Sequence, residues 1–539
     1  MYKVELTESY FPAVEDGVVD DYSIADVLSL AARDAGDVIA LKEATADGIV
    51  RRSWTYSALQ ATARRLAQAF AARHRPGERI AIWAPNIPEW VIAEYAAAYA
   101  GLTIVTINPS FQAREVKFVL EQSKATALYH VRSFRGNPIG EIAARVASEY
   151  ENIRTVIDIQ DEDALFAGAD NDLPLPMSSP LAPAQVQYTS GTTGFPKGAV
   201  LHHKGLYGNA KLVMERLGME RGDVWLNFMP MFHTGGCGLA TLGTLSVRGT
   251  LIIAEQFDPH AMNRIVETEG VTHFLAVPTM ITGMVEALRA VPRNMSSIKG
   301  ICAGGAMVAP DLAQRAKDLL GVRPNILYGQ TESSPVETMT WRDDTLSDAT
   351  ETVGQPLPFV ELSIRDLESN RIVPLGKQGE ICARSFMNMI EYNDNPKATA
   401  EALDNEGWLH TGDLGTMDAR GYVRVTGRVK EMIIRGGENL FPAEIENALL
   451  EHPHIEEVAV VGITDEKFGE VVACFMRLHA EGRPTRHDLV TFCRARLSAQ
   501  KTPAIWVHLT EWPLTGSGKI RKFVLREMFE QGAFEGREL

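Results

Sequence analysis

Tyr188-Thr-Ser-Gly-Thr-Thr-Gly-Phe-Pro-Lys-Gly198 is the most informative run in this 539-residue chain. Hydroxyls at Thr189, Ser190, Thr192 and Thr193 are interleaved with Gly191 and Gly194, and Lys197 follows. Glycine lets backbone N–H groups approach a ligand closely, and hydroxyls with free N–H groups suit phosphate oxygens. Lys197 supplies a mobile counter-charge. The competing reading is a flexible polar surface loop, because glycine-rich motifs have real false-positive rates. The run is not a Walker A loop. That loop needs Gly-Lys followed directly by Ser or Thr, whereas Lys197 lies between Pro196 and Gly198.

Outward from this run, helical and strand patterns alternate. Trp54–Arg73 carries Leu59, Leu66 and Phe70 at helical spacing, Arg79–Ala84 is a short apolar strand, Trp90–Ala100 is Ala-rich and helical, and Leu102–Ile107 is again strand-like. Beyond the run the alternation resumes: strand Leu251–Ala254, helix His260–Glu269, strand Thr272–Val277, helix Pro310–Leu319. Such alternation predicts an α/β core with a largely parallel sheet. Val353–Arg384 reads as strands with Gly and Pro turns, a small β-barrel or sheet subdomain. A boundary falls near Gly427–Lys430. After it come a helix opening at Pro442, strands Val458–Ile463 and Val471–Leu478, and a helix Arg486–Arg496, a compact α+β domain. The expected division is 1–427 and 428–539.

Composition bounds the function. Hydrophobic residues are 45% and charged residues 23%, as in an ordinary globular protein. The net charge of -16 repels nucleic-acid phosphates, so no nucleic-acid partner is expected. Five cysteines without paired short spacings argue against a disulfide framework or zinc site, and point to a reducing cytoplasm. The acidic N-terminus lacks a signal-peptide core, and no stretch reaches the ~18 apolar residues of a spanning helix.

Further segments carry chemistry. Tyr328-Gly-Gln-Thr-Glu332 follows an apolar strand, Asn325–Tyr328. A carboxylate there suits Mg²⁺, and Thr331 equally suits a helix N-cap. Asp413 follows Thr411-Gly412 in a turn, where it can grip ribose hydroxyls or make an Asx-turn. Gly304, Gly305 and Ala306 follow the strand Gly300–Cys302, leaving room for a flat ligand or for tight packing. Met231-Phe-His-Thr-Gly-Gly236 contains His233, with no nucleophile positioned for it to activate. The adjacent His202 and His203 read as structural or solvent-facing. Thr515-Gly-Ser-Gly-Lys-Ile-Arg-Lys522 reads, taken bare, as a basic flexible loop.

The run at Tyr188 resembles the phosphate-binding signature of the adenylate-forming enzymes: acyl-CoA synthetases, peptide-synthetase adenylation domains and beetle luciferases. Tyr328–Glu332, Gly407-Trp-Leu-His-Thr-Gly-Asp413, Gly427-Arg-Val-Lys430 and Gly516-Ser-Gly-Lys519 follow in that family's order. The resemblance implies ATP, Mg²⁺ and coenzyme A as cofactors and a small carboxylic acid as partner. It implies that Thr189–Gly194 and Lys197 hold ATP phosphates, with Thr331 contacting phosphate and Glu332 holding Mg²⁺. Tyr328, Gly329, Gln330 and Gly304–Ala306 would line the nucleotide site, and Asp413 with Arg428 would grip the ribose. His233, Thr234, Gly235, Gly304, Gly329 and Val336 would line the acyl pocket, with Gly235 and Gly236 leaving space for substrate. Lys519 would reach the reacting centre, with Thr189 and Glu332 beside it as catalytic groups. Lys430 would be the hinge. Gly436, Gly437 and Glu438 would approach with CoA.

The implied reaction is ATP-dependent conversion of an acid to acyl-adenylate, then to acyl-CoA, AMP and pyrophosphate. No acid occurs in Asn227–Thr234, where amino-acid-activating relatives hold the substrate ammonium. Met229, Met231, Phe232 and Leu239 are apolar, so a fatty, alicyclic or aromatic acid fits best. Other acceptors stay open: a separate carrier protein, a luciferase-like oxygenation, or nucleotide binding without catalysis. The C-terminal Gly-Arg-Glu-Leu is no peroxisomal address, and no fused carrier domain is expected. A homodimer is the default expectation.

Overall fold

The computed structural model describes residues 1–189, 196–306, 308–436, 438–479, 484–515 and 519–534, without the side chain of Asn439. It divides into two compact units. The first comprises Met1–Tyr2, Phe11–Leu362 and Ala383–His410. The second comprises Lys3–Tyr10, Ser363–Cys382 and Thr411–Leu539.

Two mostly parallel sheets form the first unit, as the alternating pattern predicts. In the seven-stranded sheet, Thr103–Thr106, Arg79–Trp83, Ala127–His130 and Thr155–Asp158 run parallel. Pro183–Thr189 joins parallel beside Thr103–Thr106, and Lys197–His202 returns antiparallel against it. The nine-stranded sheet has a parallel centre of Thr250–Ala254, Val224–Asn227, His273–Ala276, Gly300–Ala303 and Asn325–Tyr328. Strands buried on both faces read as continuous apolar runs, which is why Arg79–Trp83 and Thr250–Ala254 are legible without alternation.

The helix expected from Trp54 starts at Tyr56. Thr55 caps it by accepting from the Ala58 N–H, and Trp54 belongs to the preceding strand, opposite Leu41. Leu59, Leu66 and Phe70 are buried as the spacing predicts. Val353–Arg384 contributes Glu361–Arg365 and Gly379–Arg384 to a five-stranded sheet.

In the second unit, Ile455–Asp465 pairs antiparallel with Gly469–Leu478, and Ile505–His508 adds in parallel. Period-two alternation divides these strands between two cores. Val460, Val472, Cys474 and Met476 face the helices Pro442–Leu450 and Arg486–Arg494 through Ile445, Leu449 and Leu489. Val461, Ala473 and Phe475 face the other way, against Leu525 of the helix Lys522–Glu530.

Candidate active site

The two strands that flank the glycine- and threonine-rich run pair antiparallel. Thr189 is cross-strand partner to Lys197, and its hydroxyl donates to the Lys197 carbonyl at 3.3 Å. The strands Pro183–Thr189 and Lys197–His202 therefore fix both ends of the run. Ser190, Gly191, Thr192, Thr193 and Gly194 lie outside the described residues. Lys197 is half-buried, and its ammonium lies 4.7 Å from the ring centroid of Tyr392.

Tyr392 also meets the second predicted segment. Its hydroxyl donates to Glu332 Oε1 at 2.5 Å. Burial, reinforced by Glu332, raises the Tyr392 pKa well above the ordinary phenol value, so the tyrosine is a neutral donor. Glu332 occupies a short 3₁₀ turn, Thr331–Ser333, directly after the strand Asn325–Tyr328. The cap there is Gln330, in reciprocal bonding with Ser333, and not Thr331. The Met389 N–H donates to the Glu332 carbonyl at 2.6 Å, and the Asn393 N–H to the Gly198 carbonyl at 2.7 Å. The short strand Glu391–Tyr392 thus straps that strand pair to the Glu332 turn.

Two residues of this cluster escaped sequence reasoning. Tyr392 lies 60 positions from Glu332, in a two-residue strand without local signal. Asn209 is fully buried on the helix His203–Leu217. Its side chain donates to the Val336 carbonyl at 2.7 Å and accepts from the Val336 N–H at 3.1 Å, fixing the segment behind Glu332. Of the adjacent histidines, neither faces solvent. Both are buried, and His202 caps the same helix through the Gly205 N–H at 3.0 Å.

Tyr328 is half-buried at the strand end, and Gly329 follows with φ +155°. A Cβ on Gly329 would lie 2.2 Å from the Pro335 carbonyl oxygen, so backbone packing alone demands glycine there. Gly304 is buried under Leu327, whereas Gly305 and Ala306 are exposed.

His233 is half-buried and accepts the Gly235 N–H at 3.2 Å. A π-helix, Gly235–Leu242, follows, and Thr234 and Gly235 are buried. Backbone packing also demands glycine at 236, where a Cβ would lie 2.4 Å from the Pro230 carbonyl oxygen. Met229, Met231, Leu239 and Val336 are buried. Within the π-helix, Cys237 bonds Gln187 and Gln185, and Gln185 donates to Glu94 at 2.6 Å. Burial pushes the Glu94 carboxyl well above the usual range, so the chain of groups is neutral.

The remaining candidates lie in the second unit. Asp413 is not in a turn but inside the strand Leu409–Met417, directly opposite Arg428 on Val423–Arg428. Arg428 Nε meets Asp413 Oδ1 at 2.6 Å, with the carboxylate buried and the guanidinium half exposed. Lys519 is exposed by surface area, yet desolvation by surrounding protein and the nearby Arg428 lower its pKa, while Asp413 pulls the other way. Lys430 is exposed in the 3₁₀ turn Val429–Glu431. Gly436, with φ +59°, follows Arg435, which is the antiparallel cross-strand partner of Glu438. Gly437 lies outside the described residues.

The fold and this donor set define an adenylate-forming class of enzyme, and comparison with known proteins agrees. The family model for AMP-binding enzymes matches residues 30–393, and that for the AMP-binding enzyme C-terminal domain matches residues 444–519. The chain belongs to the AMP-binding enzyme family, as an enzyme of the acyl-CoA synthetase kind. It is 34% identical to the putative acyl-CoA synthetase YngI of Bacillus subtilis, over 84% of this chain and 87% of that one. It is 32% identical to the mitochondrial medium-chain acyl-CoA ligase ACSF2 of Homo sapiens, over 84% and 79%. ATP-bound MatB from Rhodopseudomonas palustris superposes with a TM-score of 0.84 at 26% identity, covering 94% of this chain and 99% of that one. The o-succinylbenzoate CoA synthetase MenE of Bacillus subtilis, with its acyl-adenylate intermediate, gives 0.81 at 28% identity, covering 93% and 97%. Among the described residues no helix is long and apolar enough to cross a membrane.

Proposed function

We propose that this enzyme joins a carboxylic acid with an apolar tail to coenzyme A through an acyl-adenylate. The observation that carries the reading is the convergence of Lys197 and Glu332 on Tyr392. A cation for phosphate oxygens and a carboxylate for a metal are thereby held on one phenol ring. In the first half-reaction a carboxylate oxygen of the acid attacks the α-phosphorus of ATP. The bond to the β-phosphate breaks and pyrophosphate leaves. Such a transfer needs positioning and charge neutralisation rather than covalent protein chemistry.

Lys197 and the hydroxyls of Thr189–Thr193 would hold phosphates, Asp413 and Arg428 the ribose, and Tyr328, Gly329, Gln330 and Gly304–Ala306 the base and its surroundings. The Glu332 carboxylate is a hard oxygen donor that fits Mg²⁺, which would neutralise phosphate charge, and Thr331 would contact phosphate beside it. Lys519 would steady the charge that develops between the carboxylate and the α-phosphate. In the second half-reaction the CoA sulfur attacks the acyl carbonyl, the bond to AMP breaks, and the thiol proton passes to solvent. Rotation about Lys430, between residues 1–427 and 428–539, would withdraw Lys519 and bring Gly436, Gly437 and Glu438 forward.

The buried Met229, Met231, Leu239 and Val336, with no acid in Asn227–Thr234, support a plain acid with a fatty, alicyclic or aromatic tail. His233, Thr234, Gly235, Gly304 and Gly329 would border that pocket. A relative named as a medium-chain ligase supports fatty acids of that length first. The test is mass spectrometry of an incubation with octanoate and MgATP. Acyl-adenylate should accumulate without CoA and convert to octanoyl-CoA when CoA is added. Acyl-adenylate that ignores CoA would overturn the thioester step.

A further inference from the structure

Lys522, the last residue of the basic Thr515–Lys522 segment, opens a helix, and its surroundings tie three parts of the second unit together. Its ammonium meets Glu431 Oε2 at 3.0 Å and Glu446 Oε1 at 2.8 Å. Glu431 closes the 3₁₀ turn that contains Lys430. Glu446 lies on the helix Pro442–Leu450 and also accepts the Val460 N–H at 2.7 Å, which anchors it to the central strand pair. Burial works against a lysine charge, but the two carboxylates outweigh it and hold the ammonium above its ordinary pKa.

The other end of this link is the backbone at Lys519, which is paired with Thr515 in both directions: the Thr515 N–H donates to the Lys519 carbonyl at 2.7 Å, and the Lys519 N–H donates to the Thr515 hydroxyl at 3.0 Å. The Arg521 N–H donates to the Pro513 carbonyl at 2.8 Å, and the helix Lys522–Glu530 starts at the next residue. Thr515 and Lys519 are therefore tied to the start of the helix whose first residue is Lys522. Leu525, one turn on, is fully buried in the sheet's second core.

We propose that Lys522 is a positioning residue for adenylation, which ties the backbone at Lys519 to the turn that bears Lys430. The proposal rests on the reading of Lys519 given above. Removing one member of this half-buried ion-pair network leaves two carboxylates without their counter-charge and loosens what the pair held. Losing the pair should therefore blur where Lys519 arrives, and should leave the thioester step, which does not use Lys519, largely alone.

The experiment measures both half-reactions: acid-dependent ATP–pyrophosphate exchange, and thioester formation from supplied acyl-adenylate. For Lys522→Met, exchange should fall by about tenfold or more while thioester formation stays within about threefold. Lys522→Arg, which can keep both carboxylates, should restore exchange to within about threefold of wild type. In a Lys519→Ala background, Lys522→Met should reduce exchange no further, because the two residues act through one ammonium. Should Lys522→Met fail to fold, Glu431→Gln and Glu446→Gln each remove one partner and should show the same split in milder form. Equal loss in both half-reactions, or an undiminished effect in the Lys519→Ala background, would overturn the proposal. Failure of the underlying reading looks different: Lys519→Ala alone would then leave exchange intact.

Discussion

The hydroxyl of Tyr392 donates to the carboxylate of Glu332 at 2.5 Å, and the same ring lies 4.7 Å from the ammonium of Lys197. One phenol therefore holds in place the two charged groups that the proposed chemistry needs nearest the phosphates. A hydrogen bond to a charged group is shorter and stronger than a neutral one, and here it is buried. Tyr392→Phe keeps the ring and removes only the bond. The KM for MgATP should rise by about fivefold to tenfold, and the protein should lose about 1–3 kcal/mol of stability. Pyrophosphate release at varied MgATP and a denaturant titration check these. An unchanged KM would show that Glu332 is placed by its backbone alone.

Lys519 carries the adenylation step in this account. Lys519→Ala should reduce acid-dependent pyrophosphate release by about a hundredfold or more, the scale of losing one preorganised charge at a developing anion. Conversion of supplied acyl-adenylate to acyl-CoA should change little. Equal damage to both half-reactions would contradict the assigned role.

Asp413 is buried opposite Arg428, with 2.6 Å between them. Asp413→Asn keeps the shape and removes the acceptor charge. ATP should bind about tenfold more weakly, with the KM for the acid nearly unchanged. Isothermal titration with a non-hydrolysable ATP analogue reads this directly, and equal affinities would remove Asp413 from the ribose site.

Gly329 has no room for a side chain, since a Cβ would lie 2.2 Å from the Pro335 carbonyl oxygen and 2.9 Å from the Glu337 nitrogen. Gly329→Ala must displace the turn that carries Glu332. A melting temperature lowered by several degrees, at a cost of about 2 kcal/mol or more, is expected alongside loss of activity. A stable, active Gly329→Ala enzyme would contradict the packing described.

Buried histidines give the fold an acid limit. Burial lowers the pKa of His203 to about 4, with His202 adding to the effect and Asp26 opposing it, and burial likewise lowers His74 to about 4. Each is neutral when folded and titrates near 6.5 when unfolded, so the unfolded chain binds more protons between those values. Stability is therefore complete above pH 6.5 and is lost as pH falls towards 4, by up to about 1.4 kcal/mol per pH unit per histidine. Guanidinium unfolding at pH 5 and pH 7 measures the slope, and His203→Phe should flatten it by about one proton.

Much of this architecture is legible in the sequence because local patterns and tertiary burial agree. The alternation in Ile455–Asp465 and Gly469–Leu478 reports two buried faces, and the structure covers both with helices. The Asn325–Tyr328 strand leading to Glu332, and the small residues after Gly300–Ala303, are where their patterns place them. The exceptions have physical causes. Trp54 has helical neighbours but pairs with Leu41, because Thr55 caps the helix one residue later. Asp413 follows glycine and reads as a turn, yet cross-strand pairing with Arg428 holds it in a strand. The π-helix Gly235–Leu242 is apolar on all sides and offers no periodicity to read. Tyr392 was out of reach because its importance lies in partners far along the chain.

The most direct test of the central claim is pyrophosphate release with MgATP across a panel of straight-chain, alicyclic and aromatic acids, each with and without CoA. The account predicts release that depends on the acid, favours apolar tails over amino acids, and yields one acyl-CoA per pyrophosphate when CoA is present. Release without any thioester, or release that needs no acid, would contradict it.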